Sequence, residues 1–275
     1  VKESKQTTTF DEGLTAQVRG DFGAAIAIFE HVIEDHPTNA AAYHQLGRCH
    51  MRLGDLAKAI ENLEAAVRLG PERIPARLDL GTLYLATNHM LKAKRQFRQA
   101  LTRNKSNVKA ITGVGIVRYY EEKFDKAKAT LRHACTLNPT NLACHYYLAK
   151  IHRKLKNIED MRKEALRSAA ICRDLIRVRT EMPEAYFFLA ETFRFQRDYR
   201  PALQNYLIAR DFSPESVMHF FAFGLHYTRV DNYLGIARCY EKLGEHSYAR
   251  YFGQVTLKID ANNAEAARFA SLEDD

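Results

Sequence analysis

Small residues recur in this chain every 34 positions. Ala59 is matched at Ala25, Ala93 and Ala127, and Gly47 at Gly13, Gly81 and Gly115, with Ala149 next in the series. Leu63 has counterparts at Phe29, Phe97, Leu131 and Ala165. A period of this length means one supersecondary unit stacked repeatedly, which constrains the fold more than any other feature. In the unit from Tyr43 to Pro71, two apolar stripes at helical spacing flank Leu53, Gly54 and Asp55, so a helical hairpin is predicted. Gly47 and Ala59 fall where its helices cross, because only small side chains let the backbones approach there. Tyr43, Leu46 and His50 share a face of the first helix, and Leu63 and Ala66 the facing side of the second. One hairpin leaves such faces uncovered, so neighbours must stack on it.

The order Tyr43, Leu46, Gly47, Ala59, Leu63, Ala66 and Pro71 at this period resembles the tetratricopeptide repeat. The family's usual tryptophan is absent, and Tyr43, Ile111, Tyr186 and Tyr233 stand in its place. The resemblance implies an all-α, right-handed superhelical solenoid of about seven hairpins with a C-terminal capping helix. Its units are expected at about 10–39, 40–73, 74–107, 108–141, 142–182, 183–216 and 217–263. A flexible leader at 1–9, a capping helix at 264–271 and an acidic tail at 272–275 complete the expectation.

Two irregularities break the period. From Met161 the next repeat alanine is Ala202, seven residues late, so Ile158 to about Glu181 reads as one overlong second helix. The step from Ala202 to Ala249 is 47, placing thirteen extra residues at Val217 to Arg229, VMHFFAFGLHYTR. This insert reads as an extended first helix. As alternatives, Phe220, Phe221, Phe223 and Tyr227 would cap a groove, contact a second copy or offer an apolar patch to a partner.

Composition narrows the chemistry. Five cysteines without a CxxC pair give neither a disulfide framework nor a zinc knuckle, which favours a reducing compartment and a cytoplasmic location. Val1 to Phe10 has no apolar signal core, and no run of about 18 apolar residues suggests a membrane span. Gly113 and Gly115 lack the third glycine and preceding strand of a dinucleotide fingerprint, so they are assigned to helix packing. Cys144, His145 and His152 lack a nearby carboxylate and make a poor metal set. No serine, histidine and acid constellation stands out. The expectation is therefore a protein without enzymatic activity, metal or cofactor.

Charge is distributed unevenly. Residues 1–104 carry a net +2, residues 105–210 a net +10 and residues 211–275 a net −4. In tetratricopeptide arrays the first helix of each hairpin lines an inner groove. The resemblance therefore places Tyr119, Tyr120, Tyr146, Tyr147, Lys150, Arg153, Lys154, Phe187, Phe188, Arg194 and Phe195 on that surface. Rings with basic heads suit a peptide or helix bearing acidic residues, the rings giving affinity and the charges steering encounter. The bland alternative packs the same rings between neighbouring units. The family's carboxylate clamp for chaperone tails is not matched: the corresponding positions hold Phe10, Leu14, Gln45, Pro75 and Asp79, or one unit later His44, Arg48, Asp79, Lys109 and Gly113. The reading is a protein-interaction scaffold or adaptor. Self-association through the insert is one alternative. Nucleic-acid binding by the cationic middle is another, disfavoured by the eleven acidic residues within residues 105–210.

Overall fold

The computed structural model describes residues 2–212, 218–221 and 224–273, with side chains from residue 9 onward. It is an all-α solenoid of helical hairpins, and two compact units divide it, Val1–Thr130 and Leu131–Asp275.

The first unit contains α1 (Lys2–Arg19), α2 (Phe22–Asp35), α3 (Ala40–Leu53), α4 (Leu56–Leu69), α5 (Ile74–Ala86), α6 (Met90–Arg103) and α7 (Val108–Tyr120). Residues 2–9, expected as a flexible leader, instead belong to α1. The unit boundary falls within α8 (Phe124–Leu137).

Local chemistry repeats with the packing. Asn39 caps α3 by accepting from the amides of Ala41 and Ala42, and Asn107 caps α7 from the amide of Ala110. Asp21 and Asp55 cap α2 and α4 in the same way. Such side chains satisfy amides that have no partner inside the helix. The turn within each hairpin needs a residue of positive φ, supplied by Gly20 and Gly54 and then by Asn88 and Glu122. Only the first two take that conformation without a steric cost.

The helix crossings follow the small residues. A Cβ on Gly47 would lie 2.7 Å from Leu63 Cγ and 3.3 Å from the carbonyl oxygen of Ala59. Phe97 on α6 is buried between two glycines, and a Cβ on Gly81 or Gly113 would approach its ring to 2.8 or 2.6 Å. Gly113 thus serves close packing, as its helical setting suggested.

The second unit contains the end of α8, then α9 (Leu142–Lys154), α10 (Ile158–Val178), α11 (Pro183–Phe195) and α12 (Tyr199–Asp211). Two short strands follow, β1 (Met218–Phe220) and β2 (His226–Thr228), then α13 (Arg229–Leu243), α14 (His246–Ile259) and α15 (Ala264–Ala270). Asn141 and Asn157 cap α9 and α10, and Lys156 and Arg197 occupy the positive-φ turns. Helix α10 is 21 residues long, against 13 or 14 for α2 to α7.

The insert is not an extended helix. Its strands pair antiparallel, with Met218 opposite Thr228, His219 opposite Tyr227 and Phe220 opposite His226. Gly224, at φ +84°, lies between them, and aromatic residues favour the pleated backbone over the helix. Thr228 then starts α13 with a reciprocal cap: its hydroxyl accepts from the Asp231 amide while Asp231 accepts from the Thr228 amide.

Candidate functional site

Taken unit by unit, the inner-helix residues predicted to line a groove separate into three groups. In the first unit, Tyr119 is half-buried and Tyr120 exposed, their rings edge to face at 5.3 Å. In the second unit Tyr146, Tyr147, Phe187, Phe188 and Phe195 are all buried, none more than 6% exposed. Lys150 and Arg194 are half-buried, while Arg153 and Lys154 are exposed. The rings of the second unit are thus core, and the expectation that they stand open is corrected.

The insert explains much of their burial. Tyr227, itself buried, stacks on Phe187 with centroids 4.0 Å apart and planes 5° apart, and His219 stacks on the same tyrosine at 4.6 Å. Phe221, half-buried, approaches Phe188 to 6.1 Å. Phe220 is also half-buried, and Phe223 lies outside the described residues. An aromatic surface of α11 that a regular repeat would leave to a ligand is covered by the chain's own hairpin. Sequence position within the repeat gave no sign of this, because the covering segment lies outside the period.

Behind those rings sits a buried charge. Glu191 on α11 accepts from Arg194 Nε at 2.9 Å and from its terminal guanidinium nitrogen at 2.7 Å. The Tyr146 hydroxyl donates to it at 3.1 Å, and the Tyr206 hydroxyl donates to its other oxygen. Burial opposes its ionisation, but the Arg194 charge and these hydrogen bonds prevail and hold its carboxyl at about 2. Burial pushes the Lys150 ammonium down to about 8, although Glu191 attracts it; that ammonium lies over Tyr146 and Tyr147 at 5.4 and 5.1 Å.

Beyond this cluster lies an open basin of about 640 Å³. Its walls carry Arg153, Arg162, Arg194, Arg197, Arg238, Lys242 and Arg268, against only Glu241 and Glu265. Both acids are spent: Glu265 pairs with Arg238, and Glu241 with Arg268 and, at 3.9 Å, Lys242. Arg153, Arg162 and Arg197 have no carboxylate partner among the described residues. Arg153 instead lies over the Phe195 ring at 4.7 Å. Of the predicted residues, Arg153, Arg194 and Phe195 meet here. Arg162, Arg197, Arg238 and Arg268 were missed, since they lie on other helices and at a hairpin turn.

The first unit treats charge differently. Asp79 on α5 accepts from Lys109 on α7 at 2.7 Å and lies 2.9 Å from His44 Nε2 on α3. Burial works against this carboxylate, yet the His44 hydrogen bond and the Lys109 charge bring it down to about 2. The residues at the clamp positions therefore satisfy one another around an acid, which gives physical content to the mismatch with a carboxylate-gripping site.

Of the residues considered for a metal, His152 faces Asp160 at 3.7 Å, and Cys144 is buried. Among the described residues no three His, Cys, Asp or Glu side chains are arranged to hold a metal ion. None of the described helices is long and apolar enough to cross a membrane.

An array of antiparallel helical hairpins with small residues at each crossing defines a helical-repeat protein. Models of the tetratricopeptide repeat match residues 10–74 and 52–112, so that stretch carries repeats of this family. No curated protein matches it in sequence. Among solved structures, a tetratricopeptide repeat protein from Parabacteroides merdae shares 14% identity, covering 97% of each chain at a TM-score of 0.64. In a structure of the APC/C hetero-tetramer Cut9-Hcn1, the similar chain shares 19% identity at TM-score 0.64, with 93% of this chain and 46% of that one covered. PilF of Pseudomonas aeruginosa shares 18%, covering 84% of this chain and 96% of its own at TM-score 0.50. These likenesses are of fold. Tetratricopeptide repeat proteins are in general interaction scaffolds without catalytic activity.

Proposed function

We propose that this chain is a non-enzymatic adaptor whose second unit holds an acidic segment of a protein partner in the basin bordered by α9, α11 and α13. The observation that carries this reading is the basin's imbalance: its two acids are already paired, and of its seven cationic side chains Arg153, Arg162 and Arg197 have no carboxylate partner among the described residues. Uncompensated guanidinium groups bind carboxylates in a planar, two-pronged geometry and draw an acidic partner from a distance. Arg153, exposed and held over the buried Phe195 ring, offers the partner a positioned cation.

The test is fluorescence anisotropy of a labelled acidic peptide titrated with the full chain, beside the same peptide with every Glu and Asp replaced by Gln and Asn. Binding of the acidic form alone, weakening steadily between low and physiological salt, is the expected result. Equal binding of both peptides contradicts the reading. Single-stranded RNA competing better than the peptide at equal charge would move the site to nucleic acid.

A further inference from the structure

The second unit holds a cluster of reactive side chains that an adaptor role does not use. Near the end of α8, Cys135 is half-buried and lines a cavity of about 710 Å³. His145 on α9 lines the same cavity, with its Nδ1 2.6 Å from Glu164 on α10 and its Nε2 2.9 Å from the carbonyl oxygen of Pro139. A carboxylate and a carbonyl only accept hydrogen bonds, so both ring nitrogens carry protons and the ring is an imidazolium. Burial opposes that charge, but the adjacent Cys135 sulfur and the hydrogen bonds to Glu164 and Pro139 outweigh it and raise His145 to about 10.

Both nitrogens of this cationic ring lie 4.0 Å from the Cys135 sulfur. The thiol of the fully buried Cys144 hydrogen-bonds the same sulfur. Together, Cys144 first and then His145, they draw the Cys135 thiol well below its ordinary value against the opposing effect of burial. Arg132, Lys163 and Arg167 add positive charge to the cavity, while Glu164 and Asp160 are its acids; Glu164 is engaged by His145 and Arg167 and Asp160 lies 3.7 Å from His152. The other cysteines differ. Cys49, Cys172 and Cys239 are buried, and burial pushes their thiols up.

We propose that Cys135 and Cys144 form a peroxide-sensitive dithiol in which Cys135 is the attacking sulfur and Cys144 resolves the product as a disulfide. The Cys135 thiolate attacks one oxygen of hydrogen peroxide and the O–O bond breaks. That oxygen stays on sulfur as a sulfenic acid, and the other leaves as hydroxide and takes a proton to become water. The Cys144 thiol then attacks the sulfenic sulfur, the S–S bond forms, and the S–O bond breaks with loss of a second water. Two thiols lose two electrons in all, and one peroxide is reduced to two waters. Closing this bond would join the end of α8 to the start of α9, within the helices that build the second unit.

The experiment uses the full chain. Iodoacetamide alkylation is followed by peptide mass spectrometry across a pH series, and a separate sample receives stoichiometric hydrogen peroxide. Alkylation is expected first at Cys135, with a rate midpoint at least one pH unit below the ~8.5 of a free thiol. His145→Gln should move that midpoint upward. Peroxide should yield the Cys135–Cys144 disulfide, and Cys144→Ser should leave a sulfenic acid that dimedone traps. A midpoint in the ordinary thiol range, or alkylation spread evenly over the five cysteines, overturns the attacking role. A sulfenic acid that persists in the unaltered chain overturns the resolving role. These last readings need no substituted protein, so misfolding of a variant does not decide them.

Discussion

Asp79 in the first unit and Glu191 in the second are both inner-helix acids, yet they leave opposite surfaces behind. Asp79 is shared among three helices, taking Lys109 from α7 and His44 from α3, with Arg48 3.9 Å away. Its partners are consumed in holding successive hairpins together. Glu191 is served mainly by its own helix, through Arg194 three residues on, and by two tyrosine hydroxyls. Those hydroxyls bring no charge, and Arg153, Arg162 and Arg197 nearby are left without a carboxylate partner among the described residues. The comparison teaches that an acid's choice of partners decides whether the inner helices of a repeat unit end neutral or cationic.

The largest effect that could break this comparison is loss of the buried acid. Glu191→Ala leaves the half-buried Arg194 and two buried tyrosine hydroxyls without their carboxylate, and the second unit should lose ~3–5 kcal/mol of stability in urea denaturation. Asp79→Ala should cost less, about 1–3 kcal/mol, because Lys109 and Arg48 can reach water. Equal costs would mean that the two acids are equivalent. Acid sharpens the same contrast. The folded pKa of Glu191 lies below its unfolded value of ~4.3, so the stability it contributes is complete above that value and is lost as pH falls toward about 2. Melting temperatures measured between pH 5 and pH 2 should fall less in Glu191→Gln than in the unaltered chain.

A smaller effect tests the packing. Gly113→Ala drives a methyl into the Phe97 ring and should destabilise the first unit by about 1–3 kcal/mol. The second unit already carries alanine at the positions matching Gly47, namely Ala149 and Ala190. A neutral Gly113→Ala, read by thermal unfolding, would show that the ring can move aside.

The smallest effect concerns the turns. Lys156 holds a φ of +59° where the first unit uses glycine at Gly20 and Gly54. Lys156→Gly should therefore stabilise by up to ~1 kcal/mol, and Gly54→Ala should cost a similar amount. A destabilising Lys156→Gly would indicate that backbone entropy outweighs the relief of strain.

Sequence made the repeat legible because each hairpin needs the same small residues at its crossing, and Gly47, Ala59 and Leu63 meet as their spacing implies. The overlong α10 was legible for the same reason, as a delay in the next alanine. The insert was not, because a run such as VMHFFAFGLHYTR offers apolar residues to either backbone. Gly224 between two aromatic runs was the available hairpin signal. The rings at 146, 187 and 188 were placed on the correct helices, but repeat position does not reveal that Tyr227 covers Phe187. The grouping of Cys135 and Glu164 with His145 escaped notice because three separate helices bring them together, whereas spacing along one helix joins His145 to Cys144 and His152.

The second unit, and its basin in particular, is proposed to take the acidic partner. The most direct measurement is the affinity of the labelled acidic peptide for the full chain carrying Arg153→Glu and Arg197→Glu, beside a chain carrying Arg48→Glu in the first unit. Both basin residues are exposed, so melting temperature should stay unchanged. The basin variant should lose at least tenfold in affinity, about 1.4 kcal/mol, while Arg48→Glu should change little. Equal losses in both chains, or none in either, would contradict it.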